Sequence, residues 1–149
     1  MKDDFRIFLS GKMTGLNKLD MNSWRSEFQK LVDDDWFGYT RTPHVINPCE
    51  YFGNLDDSPT WIEHKEYIRW ELRQARDCDL LVAGISRNQD SIGTACEITT
   101  AYEAGKPILL YNQYELLHSD IHPFVWEMSD RCFEKLEDLA DYIREVYLI

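Results

Sequence analysis

The sequence predicts an α/β fold: a parallel β-sheet with helices on both faces and right-handed crossovers. Three observations predict it. Short apolar runs alternate with amphipathic helical patterns along the chain. Two of the runs, "DLLVAGIS" (79–86) and "ILLY" (108–111), are almost continuously apolar, as strands covered on both faces are. The chain has 149 residues, the length of one domain that buries a core without disulfide or metal staples.

Each element has its own signal. "FRIFLS" (5–10) is an apolar run closed by Gly11 and reads as a buried strand. "GKMTGL" (11–16) is a glycine-bounded loop, too short for a phosphate-cradling Walker loop. From Asp20 to Val32 a helical pattern puts Trp24, Phe28, Leu31 and Val32 on one face. "YTRTPHVINP" (39–48) reads as a strand, and its internal Pro43 places it at a sheet edge. Asn47-Pro48 then opens a long loop through Gly53 and Asn54. Pro59 suits a first helical turn, and Thr60 with Glu63 forms a capping box for a helix to about Ala75. After the 79–86 strand, Asp90 or Ser91 caps a helix that Gly105 ends and Pro107 prevents from continuing. Beyond the 108–111 strand comes a loop with a short helical piece, through His118 and Trp126. "EKLEDLADYIREVY" (134–147) is a final amphipathic helix.

Composition narrows the function classes. The formal net charge is −11, which repels a nucleic-acid polymer but leaves room for a small anion in a local pocket. Cysteines 49, 78, 96 and 132 contain no Cys-x-x-Cys pair and read as reduced, mostly buried thiols of a cytoplasmic protein. The first residues read as neither a signal peptide nor a membrane span. No internal repeat is present, and Asp33-Asp34-Asp35 reads as a solvated loop. The expectation is a single domain over residues 1–149, with no membrane partner. His118 and His122 have the i, i+4 spacing of zinc ligands, but no third ligand accompanies them, so no metal site is assigned.

The chemistry concentrates in "DSIGTACEITTAYEAGKP" (90–107). The helix starting there offers unpaired amides, and Ser91, Gly93 and Thr94 present hydroxyls and N–H groups as an anion seat. Glu97 lies one and a half turns in and leans back over Thr94 and Gly93. Gly93 leaves open space beside the carboxylate, and the helix end favours its ionised form. Such a carboxylate is what a nucleophile for a sugar C1 needs. The other reading puts Glu97 on a solvated stripe, with Gly93 serving helix–strand packing. Glu71, near the end of the preceding helix, is a second carboxylate able to reach the same cleft and divide the roles of nucleophile and acid. In "GKMTG", Gly11 lets the backbone approach a base or sugar, and Lys12 offers an anion contact next to Met13. Trp61, Trp70 and Trp126 read as core or interface residues.

"IFLSGKMTGL", "VINP", "WELRQARDCDLLVAGIS" and "DSIGTACEITTAYEAGKPILLY" together resemble the nucleoside 2-deoxyribosyltransferase superfamily over residues 5–125. The Gly-x-Met-Thr-Gly loop resembles a phage-rich branch of it. The resemblance implies a flavodoxin-like (Rossmann-like) five-stranded parallel sheet, one strand more than the four the residues mark. It implies cleavage of the N-glycosidic bond of deoxynucleosides or their monophosphates, without a cofactor. The family's glutamate nucleophile falls on Glu97 and its second carboxylate on Glu71. A pocket residue falls on Ser91, which is a serine at the 5′-phosphate in the related nucleotide hydrolases. A tyrosine that steadies the nucleophile falls on Phe8, which has no hydroxyl, so Tyr102 or Tyr111 would have to serve. A neighbouring subunit's contribution falls on His122 and Phe124. That implies a homo-oligomer, and apolar Phe124, Trp126 and Met128 suit its interface.

Overall fold

The structure, a computed structural model, describes residues 3–13, 18–33, 38–51, 64–87 and 91–149. The elements, in order, are β1 (Asp3–Ser10), α1 (Lys18–Asp33), β2 (Arg41–Ile46), α2 (Pro48–Tyr51), α3 (His64–Asp77) and β3 (Leu80–Gly84). After these come α4 (Ile92–Glu103), β4 (Ile108–Tyr111), α5 (Pro123–Met128), β5 (Arg131–Phe133) and α6 (Leu136–Ile143). All five strands are parallel, in the order β2-β1-β3-β4-β5. This is the flavodoxin-like order, with its switch point between β1 and β3.

Alternation along β1 divides the core between two layers. Phe5, Ile7 and Leu9 point to one face, where they meet Trp24, Phe28 and Val32 of α1 and Leu139, Ala140 and Ile143 of α6. Phe8 points to the other face and packs among Ala75, Leu81, Ile98, Ala101 and Leu110 under α3 and α4. The central strands are covered on both faces, which is why 80–83 and 108–110 are wholly buried. Pro43 lies in β2 at the sheet edge, where its missing N–H costs no ladder bond.

The same device starts two strands. Asp79 donates its backbone N–H to Arg6 O and accepts the Arg6 N–H on its carboxylate at 2.8 Å. Asp130 does the same to Ile108, at 2.7 Å, and so fixes the register of β5 against β4. α4 ends as its sequence demands. Gly105 takes φ +74°, its N–H reaches Tyr102, and Lys106 N–H reaches Ala101, a Schellman closure.

Three expectations need correction and the expected fifth strand finds its place, while Asp34-Asp35, Gly53, Asn54 and Asp90 lie outside the described residues. The fifth strand is Arg131–Phe133, three residues too short to show a period. Asn47-Pro48 opens a helical turn, not a loop: Asn47 caps it through Cys49 N–H at 3.0 Å, and Pro48 takes the first helical position. The last helix is α-helical only to Ile143. It continues as a wider π-type turn over Arg144–Leu148, which brings the Leu148 carbonyl onto Thr40 N–H. The four cysteines are free, but only Cys78 is buried, and Cys96 is exposed on α4. The capping box at Thr60 and Glu63, and with it Trp61, lies outside the described residues. No helix among the described residues is long and apolar enough to cross a membrane.

Gly84 ends β3 directly beneath the indole of Trp24. A Cβ there would stand 2.8 Å from Trp24 Cζ2 and 2.9 Å from Cε2. Trp24 is itself wedged in the core and has little room to yield. Gly84→Ala should therefore lower the unfolding free energy by about 1–3 kcal/mol in urea titrations, as overpacking does. An unchanged midpoint would show that the indole moves freely.

Candidate active site

Two cavities open at the β1/β3 switch point, and both include Ser91, Ile92 and Thr94 at the start of α4. The larger, about 530 Å³, lies between the loop after β1, helix α3 and the first turns of α4. Its lining includes Gly11, Lys12, Met13, Arg25, Tyr67, Glu71, Ser91, Gly93, Thr94 and Glu97. The smaller, about 380 Å³, lies between α4 and α5 and includes Ser86, Ile98, His122, Phe124 and Met128.

Glu97 and Glu71 therefore share one cavity, though 26 residues and a strand separate them in the chain. Both are nearly enclosed, at 5% and 9% exposure. Glu97 accepts a hydrogen bond from Ser10 Oγ at 3.1 Å on Oε1, while Oε2 is buried without a partner. Glu71 accepts from the Tyr67 hydroxyl, one turn earlier on α3. Burial raises Glu97 well above the carboxylate range, and the neighbouring Glu71 charge adds to the effect; the Ser10 bond and Arg25 oppose it. Burial likewise pushes Glu71 up to about 7, against the Tyr67 bond and Arg25. At neutral pH the pair thus keeps a proton. Burial opposes the expectation that the helix end favours ionised Glu97: the helix field fades within the first turn, while desolvation favours the protonated form.

A third charge completes the group. Arg25 of α1 is fully buried. Its Nη2 donates to Gly11 O at 3.0 Å, its Nη1 donates to Met21 O, and its guanidinium lies 5.0 Å from the Trp24 ring centroid. Gly11 is a glycine because a Cβ there would sit 3.2 Å from both Arg25 Nη2 and Trp24 Cζ2. Its lack of a side chain accommodates the arginine and indole.

The remaining expected residues are placed as follows. Gly93 faces open space: a Cβ there meets nothing within 4 Å. Ser91 is the N-cap of α4, accepting Thr94 N–H at 3.2 Å and sharing a 2.7 Å hydroxyl contact with Thr94. Lys12 and Met13 line the larger cavity, and Met13 Sδ lies 3.5 Å from the Tyr67 hydroxyl oxygen. Phe8 does not line the cavity. It is wholly buried in the core beneath α4, because position 8 lies one pleat short of the strand end. Neither Tyr102, half-exposed on α4, nor Tyr111, packed on Trp24 at 5.7 Å, replaces the hydroxyl expected there. His122 and Phe124 belong to the smaller cavity, not to that of the carboxylates. His122 caps α5 through Nδ1, and His118 stacks on Trp126, so the two do not act as an i, i+4 helical pair.

Ser10, Arg25 and Tyr67 went unread in the sequence, yet each left a signal. Ser10 lies two residues after Phe8, hence on the same sheet face and at the open end. Arg25 shares the stripe of Phe28 and Val32, a charge on an apolar face. Tyr67 precedes Glu71 by four residues on one helix.

The fold and site define an α/β protein with a buried carboxylate pair at the switch point of its sheet. Solved structures share this fold. One is a 2-deoxyribosyltransferase from Bacillus psychrosaccharolyticus: TM-score 0.69, 18% identity, over 92% of this chain and 91% of that one. Another is a conserved protein from Enterococcus faecalis V583: TM-score 0.68, 17% identity, over 95% and 98%. A third is a CMP N-glycosidase from Clostridium botulinum: TM-score 0.55, 16% identity, over 94% and 98%. The flavodoxin-like sheet implied by the sequence resemblance is thus the sheet observed. No protein-family model matches the chain, and no curated protein matches it by sequence.

The raised carboxylates fix a pH dependence. Glu71 moves from 4.5 to about 7, so the folded state binds more protons than the unfolded state between those values. The Glu71 contribution to stability is fully present below about pH 4.5 and is lost as pH rises through 7. Glu71→Gln should remove up to about 3 kcal/mol of this decline relative to wild type. Parallel stability curves for the two proteins between pH 4 and 8 would show that Glu71 titrates as an exposed carboxylate does.

Proposed function

We propose that this protein belongs to the nucleoside 2-deoxyribosyltransferase superfamily and cleaves the N-glycosidic bond of 2′-deoxyribonucleosides, passing the sugar to a second base. One observation carries the reading: Glu97 and Glu71 converge, buried, on one open cavity, and together retain a proton at neutral pH. Glycosyl transfer with retention needs one carboxylate ionised and one protonated. Glu97 attacks C1′ as the carboxylate. The C1′–N bond breaks, its electron pair leaves with the base, and the Glu71 proton follows to the base nitrogen. A second base then attacks the glycosyl ester, gives its proton to Glu71, and frees Glu97. Ser10 holds the Glu97 carboxylate in place, the hydrogen bond that Phe8 does not supply. No step calls on a cofactor.

Two observations favour neighbouring readings. Lys12 and the first turn of α4 border the same cavity, which suits a 5′-monophosphate and hydrolysis by water. Glu97 is the more deeply buried carboxylate, which suits exchanged roles, with Glu97 as acid and Glu71 as nucleophile. A protein that holds a nucleotide without turnover is the third outcome of the same test.

Chromatography of a panel of deoxynucleosides and their monophosphates, with and without a free acceptor base, decides among these. Base exchange from nucleosides is expected. Glu97→Gln should lower it at least about a thousandfold. Ser10→Ala should lower it about ten- to a hundredfold, the worth of one hydrogen bond to an ionised group. Release only from monophosphates, into water, establishes the hydrolase. No release from any substrate, or full activity in Glu97→Gln, ends the proposal.

The proposal includes a homo-oligomer. Phe124 is 72% exposed at the smaller cavity, and Ile92 is exposed with it. Light scattering at micromolar concentration should give a multiple of the 17.7 kDa chain. A monomer that retains full activity would contradict it.

A further inference from the structure

The cavity holds an unusual combination: a fully buried guanidinium whose hydrogen bonds go to backbone, not to a carboxylate. Burying a cation costs several kcal/mol unless something offsets it. Two carbonyls and an indole ring offset part of the cost. Among the described residues, Arg25 Nε has no hydrogen-bond partner, nor does Glu97 Oε2, and both are buried. Packing alone does not require this arrangement, because the neighbouring stripe positions Met21, Phe28 and Val32 are apolar.

We propose that Arg25 is a positioning residue of this site: a fixed internal cation whose charge lets one of the two enclosed carboxylates stay ionised. This rests on the reading of Glu97 and Glu71 as the reacting pair, and adds the group that sets their charge state. The guanidinium cannot swing to a carboxylate and neutralise it as an ion pair, since Gly11 O and Met21 O hold it. It acts through its field, within the low-dielectric wall of the cavity. The groups facing it are Cys49 of α2, Tyr67 and Glu71 of α3, and Glu97 of α4. Lys12 borders the same cavity from the loop after β1. Of the four groups facing the guanidinium, only the two glutamates change charge near neutral pH, since burial lifts both Cys49 and Tyr67 further from it. The position is also selective for arginine: the planar fork reaches two carbonyls at once while its face lies against an indole.

The test reads ionisation, not turnover, so its result is separable from that of the function assay. The protein is labelled with 13C at the glutamate carboxyl carbons. Glu71→Gln and Glu97→Gln assign the two signals. Their titration is then followed by NMR in wild type, Arg25→Lys and Arg25→Gln. Arg25→Gln should move the pair's titration upward by about one unit or more, a tenfold change in proton affinity. Arg25→Lys, which restores the charge, should bring it back toward wild type. If Arg25→Gln does not fold by circular dichroism, Arg25→Met, which keeps an unbranched stem against Trp24, is the neutral variant read. Unchanged titration in a folded neutral variant overturns the proposal. So does an Arg25→Lys variant that titrates like the neutral one. Failure of base exchange in wild type with the shift intact would leave Arg25's role standing and remove only the enzymatic reading.

Discussion

Two carboxylates and a guanidinium are buried around one cavity, and the rest of the structure is arranged to tolerate them. Each ion costs several kcal/mol to desolvate, so none survives in the interior without specific partners. Ser10 serves Glu97, Tyr67 serves Glu71, and the carbonyls of Gly11 and Met21 serve Arg25. What remains uncompensated appears as raised carboxylate proton affinities, and burial favours a proton on the pair at neutral pH. In the proposed glycosyl transfer, the same imbalance that costs stability would supply the acid and the nucleophile.

The fold explains how residues so distant in sequence meet. Ser10 closes β1, Arg25 sits on the helix after it, and Glu97 on the helix after β3. In the order β2-β1-β3-β4-β5 those two strands are neighbours, and the chain leaves them toward opposite faces of the sheet. The crevice between the departing segments is the cavity. Glycine is required where the backbone passes closest to the α1 side chains. Gly11 and Gly84 both lie against Trp24, so the indole packs over the strand ends and carries Arg25 beside them.

Much of this was legible in the sequence, and the losses have physical reasons. The four longer strands and the helices around them announced themselves through apolar runs, Pro43, Gly105 and the Ser91 cap. β5 did not, because three residues carry no period and its register depends on Asp130, a contact 22 residues from its partner Ile108. Glu97 and Glu71 were read as partners from resemblance and spacing, and the cavity joins them. The pull of burial on their ionisation is not legible, because a helix end is visible in sequence and desolvation is not. Phe8 was expected at the site, but a single pleat decides between core and crevice, and Ser10 holds the open position. Arg25 was passed over because a charge on an apolar stripe gains meaning only when its partners are known.

The central claim is that Glu97 forms the covalent bond to the sugar. It is tested most directly by stopping the reaction with a deoxynucleoside within milliseconds, digesting the protein, and weighing its peptides. The account predicts one deoxyribosyl group on the peptide containing Glu97, absent in Glu97→Gln and discharged when an acceptor base is added before the stop. Base release accompanied by an adduct on Glu71, or by no adduct on either glutamate, would contradict it.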